Sequence, residues 1–252
     1  MESLRIVSWN CRVGGFRYKS AKVAVLRADI LAVQEVSHKD VALVFSGVEQ
    51  PTYRNQILDP AYPRRSIGVY SYTDANVRAV DETAPFYSFR RFVVNKGLLE
   101  FNVAAVWTAA TNDVATSYLQ AHDGIDRYAK WIQERPTIIL GDLNMDASYT
   151  RSALPRLVDS AKKLGLVSAY HDFFGEQFGS ESRHTYFYRG RSSGAYHLDY
   201  CFVPRSWVQF IQMVTVGEHA EWENVSDHVP VIVDMAIPSS DAFTRGGRTA
   251  TT

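Results

Sequence analysis

Apolar positions along the chain gather into short runs separated by polar stretches that contain glycine and proline. The runs are "LRIVSWN" (4–10), "DILAVQEV" (29–36), "SIGVYSY" (66–72), "LLEFNVAAVWT" (98–108), "TIILGDLN" (137–144), "HLDYCFVP" (197–204), "QMVTVGEH" (212–219) and "VPVIVDMAI" (229–237). Several are nearly continuous in apolar residues, which predicts strands covered on both faces. Helical spacing predicts helices over residues 19–27, 123–134 and 152–165, the last stopping at Gly165. Strands outnumber helices, so the expected architecture is α/β, with two packed sheets and helices outside them. No repeat and no linker is visible, and one domain is expected over residues 1–238. The remainder, 239–252, is small, polar and Gly-containing, and is expected to be a flexible tail.

Composition changes this picture little. With 252 residues, 46% of them hydrophobic, the chain is long enough to bury one sizeable core. Lys plus Arg equals Asp plus Glu at 27 each, so no overall positive field marks a polyanion partner. Local basic groups at Arg64–Arg65, at Arg90–Arg91 with Lys96, and at Arg183, Arg189 and Arg191 read first as solvated faces. Two cysteines, Cys11 and Cys201, are too few for a disulfide framework and lack metal-site spacing, so both are expected to be buried thiols. No stretch approaches the roughly 18 apolar residues of a membrane span, and the N-terminus has no basic segment leading into a long apolar one. These features lead us to expect a cytoplasmic protein in a reducing setting that works as a monomer.

The strand ends carry the chemistry. Asn10, Glu35, Asp142 with Asn144, Asp199, and Asp227 with His228 all stand at or near the end of an apolar run. One such residue is an ordinary turn or cap residue. Five runs ending this way point to a shared cleft, and so many buried carboxylates demand a cation. Oxygen ligands without a Cys or His cluster suit Mg²⁺, or Mn²⁺, better than Zn²⁺, and Ca²⁺ stays an alternative although no EF-hand spacing is present. On a strand, residues two apart share a face, so Asp142 and Asn144 are expected to look into the cleft while Leu143 packs the other way. Asp146 joins them only if the strand continues, and the polar residues after Met145 predict a loop. An Asp beside an Asn suits phosphoester hydrolysis: the carboxylate takes a proton from water, and the amide donates to water or phosphoryl oxygen.

The ordered set "VSWN", "AVQEV", "GDLN", "HLDY" and "SDH", spread over residues 7–228, resembles the endonuclease/exonuclease/phosphatase superfamily. That group includes DNase I, exonuclease III type AP endonucleases, inositol phosphate 5-phosphatases and sphingomyelinases. The resemblance implies a four-layered α/β sandwich, with two central mixed β-sheets flanked by helices, and a divalent-metal-dependent phosphoesterase. It matches Glu35 to the metal-binding glutamate, Asn10 to an asparagine beside metal and phosphate, and Asp227 to a second acidic metal-site residue. Asp142 matches the aspartate assigned to water activation, Asn144 an asparagine that holds phosphate, and Asp199 the carboxylate that orients a histidine, here His228. Whether Asp142 or the His228–Asp199 pair is the base stays open.

One position departs from the pattern. Where many relatives place a His or Tyr after the strand matching "EFNVAAV", this chain has Trp107, whose indole can donate to phosphate but not shuttle protons. It reads equally as a packing residue. Asn112 and His122 lie nearby as substitutes. Further substrate-binding candidates are Arg64 and Arg65, in a Pro-containing loop, and Tyr186 and Arg189, in the aromatic, basic stretch before Asp199. His197 is a secondary candidate, two residues before Asp199, whereas His38, His171 and His219 have no companion pattern. The expected substrate is nucleic acid. A small or lipid phosphoester is the alternative, and a noncatalytic binding protein on the same fold is a third reading.

Overall fold

The computed structural model describes residues 2–13, 15–37, 53–57, 66–80, 89–108, 114–148 and 152–237. The strands in chain order are β1 (Glu2–Asn10), β2 (Ile30–Val36), β3 (Tyr53–Ile57), β4 (Ser66–Ser71), β5 (Asn76–Ala79), β6 (Phe89–Lys96) and β7 (Leu99–Trp107). They continue with β8 (Thr137–Asp142), β9 (Leu166–Ser168), β10 (Tyr186–Phe187), β11 (Ala195–Tyr196), β12 (Asp199–Pro204), β13 (Ile211–Val216) and β14 (Val231–Ile237). The helices are α1 (Phe16–Ala24), α2 (Val114–Arg127), α3 (Ala129–Glu134), α4 (Leu154–Lys163), α5 (Ala169–Phe174) and α6 (His219–Trp222).

Among the described residues one sheet runs β13-β14-β1-β2-β4-β3 and the other β5-β6-β7-β8-β12-β9, with β10 and β11 forming a separate hairpin. Both large sheets are mixed: β1 is parallel to β2, β7 is parallel to β8, and their other neighbours are antiparallel. Alternate residues of β8 serve two cores. Ile138 and Leu140 join Val33, Val69, Val103 and Cys201 in the core shared by the sheets, while Ile139 joins Ala104 and Phe202 in a core that also takes in Ile125, Trp131 and Leu157 from the helices. On the far side, Phe16 of α1 packs 5.1 Å from the Tyr70 ring. Helix, sheet, sheet and helix make the four-layered α/β sandwich. Both cysteines are buried, and no helix among the described residues is long and apolar enough to cross a membrane.

Helix α4 shows why its segment folds as expected: Leu154, Leu157, Val158 and Ala161 are its buried positions, the spacing that places four residues on one stripe. Its ends fall two residues inside those expected. Elsewhere tertiary packing moved the boundaries. Helix α1 begins at Phe16 and ends at Ala24 rather than spanning 19–27, because buried Phe16 anchors its start and Arg27, at φ 48°, cannot continue it. The helix expected over 123–134 begins at Val114 and breaks at Tyr128. Strand β6 escaped the hydrophobic pattern because Arg90, Arg91 and Lys96 interrupt it. These basic residues are not a solvated face: Arg90 is buried, Arg91 lies 3.9 Å over the Tyr128 ring, and Lys96 Nζ pairs with Asp29 at 2.6 Å.

Gly141, next to the key aspartate, has φ 148°, and a Cβ there would lie 1.8 Å from the Val106 carbonyl oxygen. Backbone occupies that space, so no side-chain rotation relieves the clash. Gly141→Ala is expected to destabilise the protein by about 3 kcal/mol or more. Thermal melting checks this; an unchanged midpoint would contradict the packing of β7 against β8.

Candidate active site

The layering brings several strand ends to one edge. Asn10 closes β1, and it pairs in parallel register with Gln34 of β2. Asp142 closes β8, opposite Trp107 on one side and Asp199 on the other. Two carboxylates directly opposite one another repel. That repulsion is answered by His228, whose Nδ1–H donates to Asp199 Oδ2 at 2.8 Å and whose Nε2 stands 4.0 Å from Asp142 Oδ2. Glu35 arrives by a different device. The register of β2 against β4 shifts between Gln34 and Val36, and Glu35 takes φ 62°, so a bulge frees its side chain from the strand alternation.

Asp142 is the node of the network. Its Oδ2 accepts from Asn10 Nδ2 and Asn144 Nδ2, both at 2.9 Å, and its Oδ1 accepts from the Asn144 backbone N–H at 2.8 Å. Asn10 Nδ2 also lies 3.3 Å from Glu35 Oε1. Asn144 does reach the cleft, but not along a strand: β8 ends at Asp142, and Asn144 has φ 49°, a left-handed turn that folds its amide back over the carboxylate. Its Nδ2 is further tied to the Thr108 carbonyl at 3.0 Å. Asp146 lies in the loop, buried, accepting the Ser148 backbone N–H at 2.7 Å.

Electrostatics follow from burial. Desolvation pushes the Asp142 carboxyl up to about 7, against the pull of His228 and with the push of Asp199. His228 has the opposite balance: burial disfavours its charge, yet Asp199 and Asp142 raise it to about 9. The imidazole is therefore cationic near neutrality. A group raised above its unfolded value stabilises the fold fully below that value and loses this contribution as pH rises through the folded one. For His228 the window runs from about 6.5 to about 9. In EDTA, the melting temperature is expected to fall between pH 7 and 9, and the slope should flatten in His228→Gln. A midpoint that climbs over this range would contradict the Asp199–His228–Asp142 geometry.

The same cluster bears on a metal. Ligand atoms of Asp142, Asp199 and His228 lie within 4.8 Å of one another, but the His228 imidazolium already pairs with the Asp199 carboxylate there. The partly buried Glu35, with the Asn10 amide between it and Asp142, offers the hard oxygen donors. With His228 paired to Asp199, the Glu35 and Asp142 carboxylates on either side of Asn10 are the oxygen donors left, and these residues fit a divalent cation.

Asp227 stands at the rim, its Oδ2 3.4 Å from Arg12 Nε, outside the cluster of three. Trp107 is buried with the Asp142 side chain's register, and its Nε1–H has no partner among the described residues. The Tyr186 ring lies 4.8 Å from the His228 ring. Arg189 is exposed, 5.1 Å from its neighbour Tyr188's ring. Asn112, Arg64, Arg65 and His38 lie outside the described residues, as do the tail residues 239–252. His122 is buried against Ser160 on the helical layer, and His171 is satisfied by Ser168 and Glu181. His197 does not share the face of Asp199: it precedes the strand, donates Nδ1–H to the Arg183 carbonyl, and packs against Tyr170 and Tyr200.

Three supporting residues escaped sequence reasoning. Thr185 Oγ1 accepts the N–H groups of Leu198 and Asp199, fixing the start of β12. Ser226 Oγ donates to the Asn10 carbonyl and accepts the His228 N–H, and Trp9 Nε1 donates to the His228 carbonyl. The Ser of "SDH" was in view but not its role.

Known proteins share this fold. The AP endonuclease LMAP from Leishmania major superposes with a TM-score of 0.71 at 12% identity, covering 94% of this chain and 88% of that one. The endonuclease domain of TRAS1, a telomere-specific non-LTR retrotransposon, gives 0.67 at 15% identity over 93% and 98% of the two chains. The 3′ phosphatase NExo (D146N) from Neisseria, bound to product DNA hairpin, gives 0.68 at 14% identity over 93% and 100%. At these identities the likeness is one of fold. No curated protein matches the sequence. A family-wide profile matches residues 7–228, which hold Asn10, Glu35, Asp142, Asn144, Asp199, Asp227 and His228: the chain belongs to the Endonuclease/Exonuclease/phosphatase family.

Proposed function

We propose that the protein is a Mg²⁺-dependent phosphoesterase that hydrolyses phosphodiester bonds in nucleic acid. The observation that carries this reading is Asp142, its carboxylate held by the Asn10 and Asn144 amides at 2.9 Å with His228 Nε2 4.0 Å away, and its proton affinity pushed up by burial to about 7. A base with that affinity for a proton is matched to water at physiological pH. Asp142 takes the proton of the attacking water while Asn144 and Asn10 hold the carboxylate in one orientation. Cationic His228, fixed by Asp199, stabilises charge growing on the phosphoryl oxygens. Glu35, with Asn10 beside it and Asp227 at the rim, would hold Mg²⁺ or Mn²⁺, which when bound neutralises phosphate oxygens.

Support for nucleic acid comes from the three folds compared above, two endonucleases and a phosphatase bound to DNA, and from Tyr186 beside His228. The zero net charge keeps a small or lipid phosphoester as the second reading. Hydrolysis of plasmid and single-stranded DNA, inositol phosphates and sphingomyelin, each with Mg²⁺, Mn²⁺ or EDTA, tests both. Cleavage of DNA abolished by EDTA is expected. Activity confined to inositol phosphates or sphingomyelin would overturn the nucleic-acid assignment, and activity indifferent to EDTA would overturn the metal. Glu35→Gln is expected to raise the Mg²⁺ concentration for half-activity by roughly 10-fold or more; an unchanged titration would remove Glu35 from the metal.

A further inference from the structure

The turn between β1 and α1 is built against ordinary backbone preference. Arg12 has φ 52° and the β-branched Val13 has φ 44°, conformations that non-glycine residues adopt rarely. The site itself holds this turn in place. The Arg12 N–H donates to Asn10 Oδ1 at 2.8 Å, and the Val13 N–H to Glu35 Oε2 at 2.6 Å. Lys19 Nζ braces the outside by donating to the carbonyls of Cys11 and Arg12.

The result is an arginine set on the rim. Its side chain is 57% exposed, with Nε 3.4 Å from Asp227 Oδ2. The two Nη groups donate no hydrogen bond among the described residues. Asp227 links this turn to the opposite rim, because its carbonyl accepts the Phe187 N–H at 2.8 Å from the β10–β11 hairpin. Next to Phe187, Tyr186 places its ring 4.8 Å from His228. The Tyr186 hydroxyl is raised by burial and also feels the charges of Asp227, Asp142 and Arg12, which agrees with one shared mouth.

We propose that Arg12 is a substrate-binding residue, its Nη groups gripping non-bridging phosphate oxygens while Asp227 holds the guanidinium over the mouth of the site. A planar fork with two free donors matches two phosphate oxygens, whereas an ammonium would offer only a point charge. The exposed guanidinium meets substrate from outside, while His228 and Asp142 are buried at the reacting centre. The inference rests on the phosphoester reading above. It adds that recognition begins with an anionic oxygen pair at Arg12.

The test measures binding apart from catalysis. In the Asp142→Asn protein, affinity for a labelled single-stranded oligonucleotide is followed against salt, with and without Arg12→Ala or Arg12→Lys. Arg12→Ala is expected to weaken binding about 10-fold and to lower the slope of log K against log salt by about 0.7. Arg12→Lys should restore the slope but not the full affinity. In the otherwise unaltered enzyme, Arg12→Ala should raise KM about 10-fold with a smaller change in kcat. A KM effect on both bis(p-nitrophenyl) phosphate and the oligonucleotide assigns the contact to the scissile phosphate, and an effect on the oligonucleotide alone to a neighbouring one; either supports the proposal. Arg12→Ala with the parent's affinity and salt slope would overturn it. Should the unaltered protein hydrolyse no phosphoester, the enzymatic reading falls, and the binding comparison still decides Arg12.

Discussion

Asp142→Asn is expected to leave the fold intact and to cut phosphodiester hydrolysis by roughly 10²–10⁴-fold, the range general-base catalysis supplies. Asparagine has the same shape, so the β8–β12 pairing and the cores on either side should survive. It cannot accept the proton of water. Single-turnover rates on a phosphodiester, with melting curves as the control, check this. A variant within a few-fold of the parent would move the base to His228 and leave Asp142 as an anchor for Asn10 and Asn144.

His228→Gln is expected to cost both activity and stability. Among the described residues the imidazolium is the hydrogen-bond partner of Asp199 Oδ2, and its Nε2 lies 4.0 Å from Asp142 Oδ2. Its loss leaves two facing buried carboxylates uncompensated, and breaking a buried pair of this kind typically costs about 3–5 kcal/mol. Rate should fall roughly 10²–10³-fold through the missing stabilisation of developing charge. Asp199→Asn separates the two effects. The amide oxygen still accepts from Nδ1, so the ring stays oriented while the charge that keeps it protonated is gone. Its pH–rate profile should lose the cationic form at lower pH than the parent does. A profile superimposable on the parent's would show that Asp199 acts by position alone.

Much of this site was legible because strands are easy to end. Asn10, Asp142 and Asp199 each close or open an apolar run, and the topology brings those ends to one edge of the sandwich. The layered architecture follows from the same runs. What stayed hidden depends on backbone geometry that no side-chain period records. The bulge at Glu35 sits near the end of the run "DILAVQEV", and strand alternation alone would not aim that carboxylate at Asn10. Asn144 was expected in the right place for the wrong reason: a left-handed turn, not the strand pleat, returns it to Asp142.

Basic residues misled in both directions. Arg90, Arg91 and Lys96 broke the apolar period of β6, yet the fold buries Arg90, pairs Lys96 with Asp29 and lays Arg91 over the rings of Tyr128 and Trp131. Arg12, alone in a Gly-containing loop, gave no pattern at all; its backbone bond to Asn10 and its approach to Asp227 set it at the site. Long-range pairing of this kind depends on residues more than two hundred positions apart, which local sequence cannot express.

Anomalous diffraction from crystals soaked in Mn²⁺ is the most direct measurement of whether these strand ends form a hard-cation phosphoester site. A Mn²⁺ peak beside the Glu35 carboxylate, bordered by Asn10 and Asp142, is the predicted result. Ordered Mn²⁺ bound elsewhere on the protein, with none at Glu35, would contradict it.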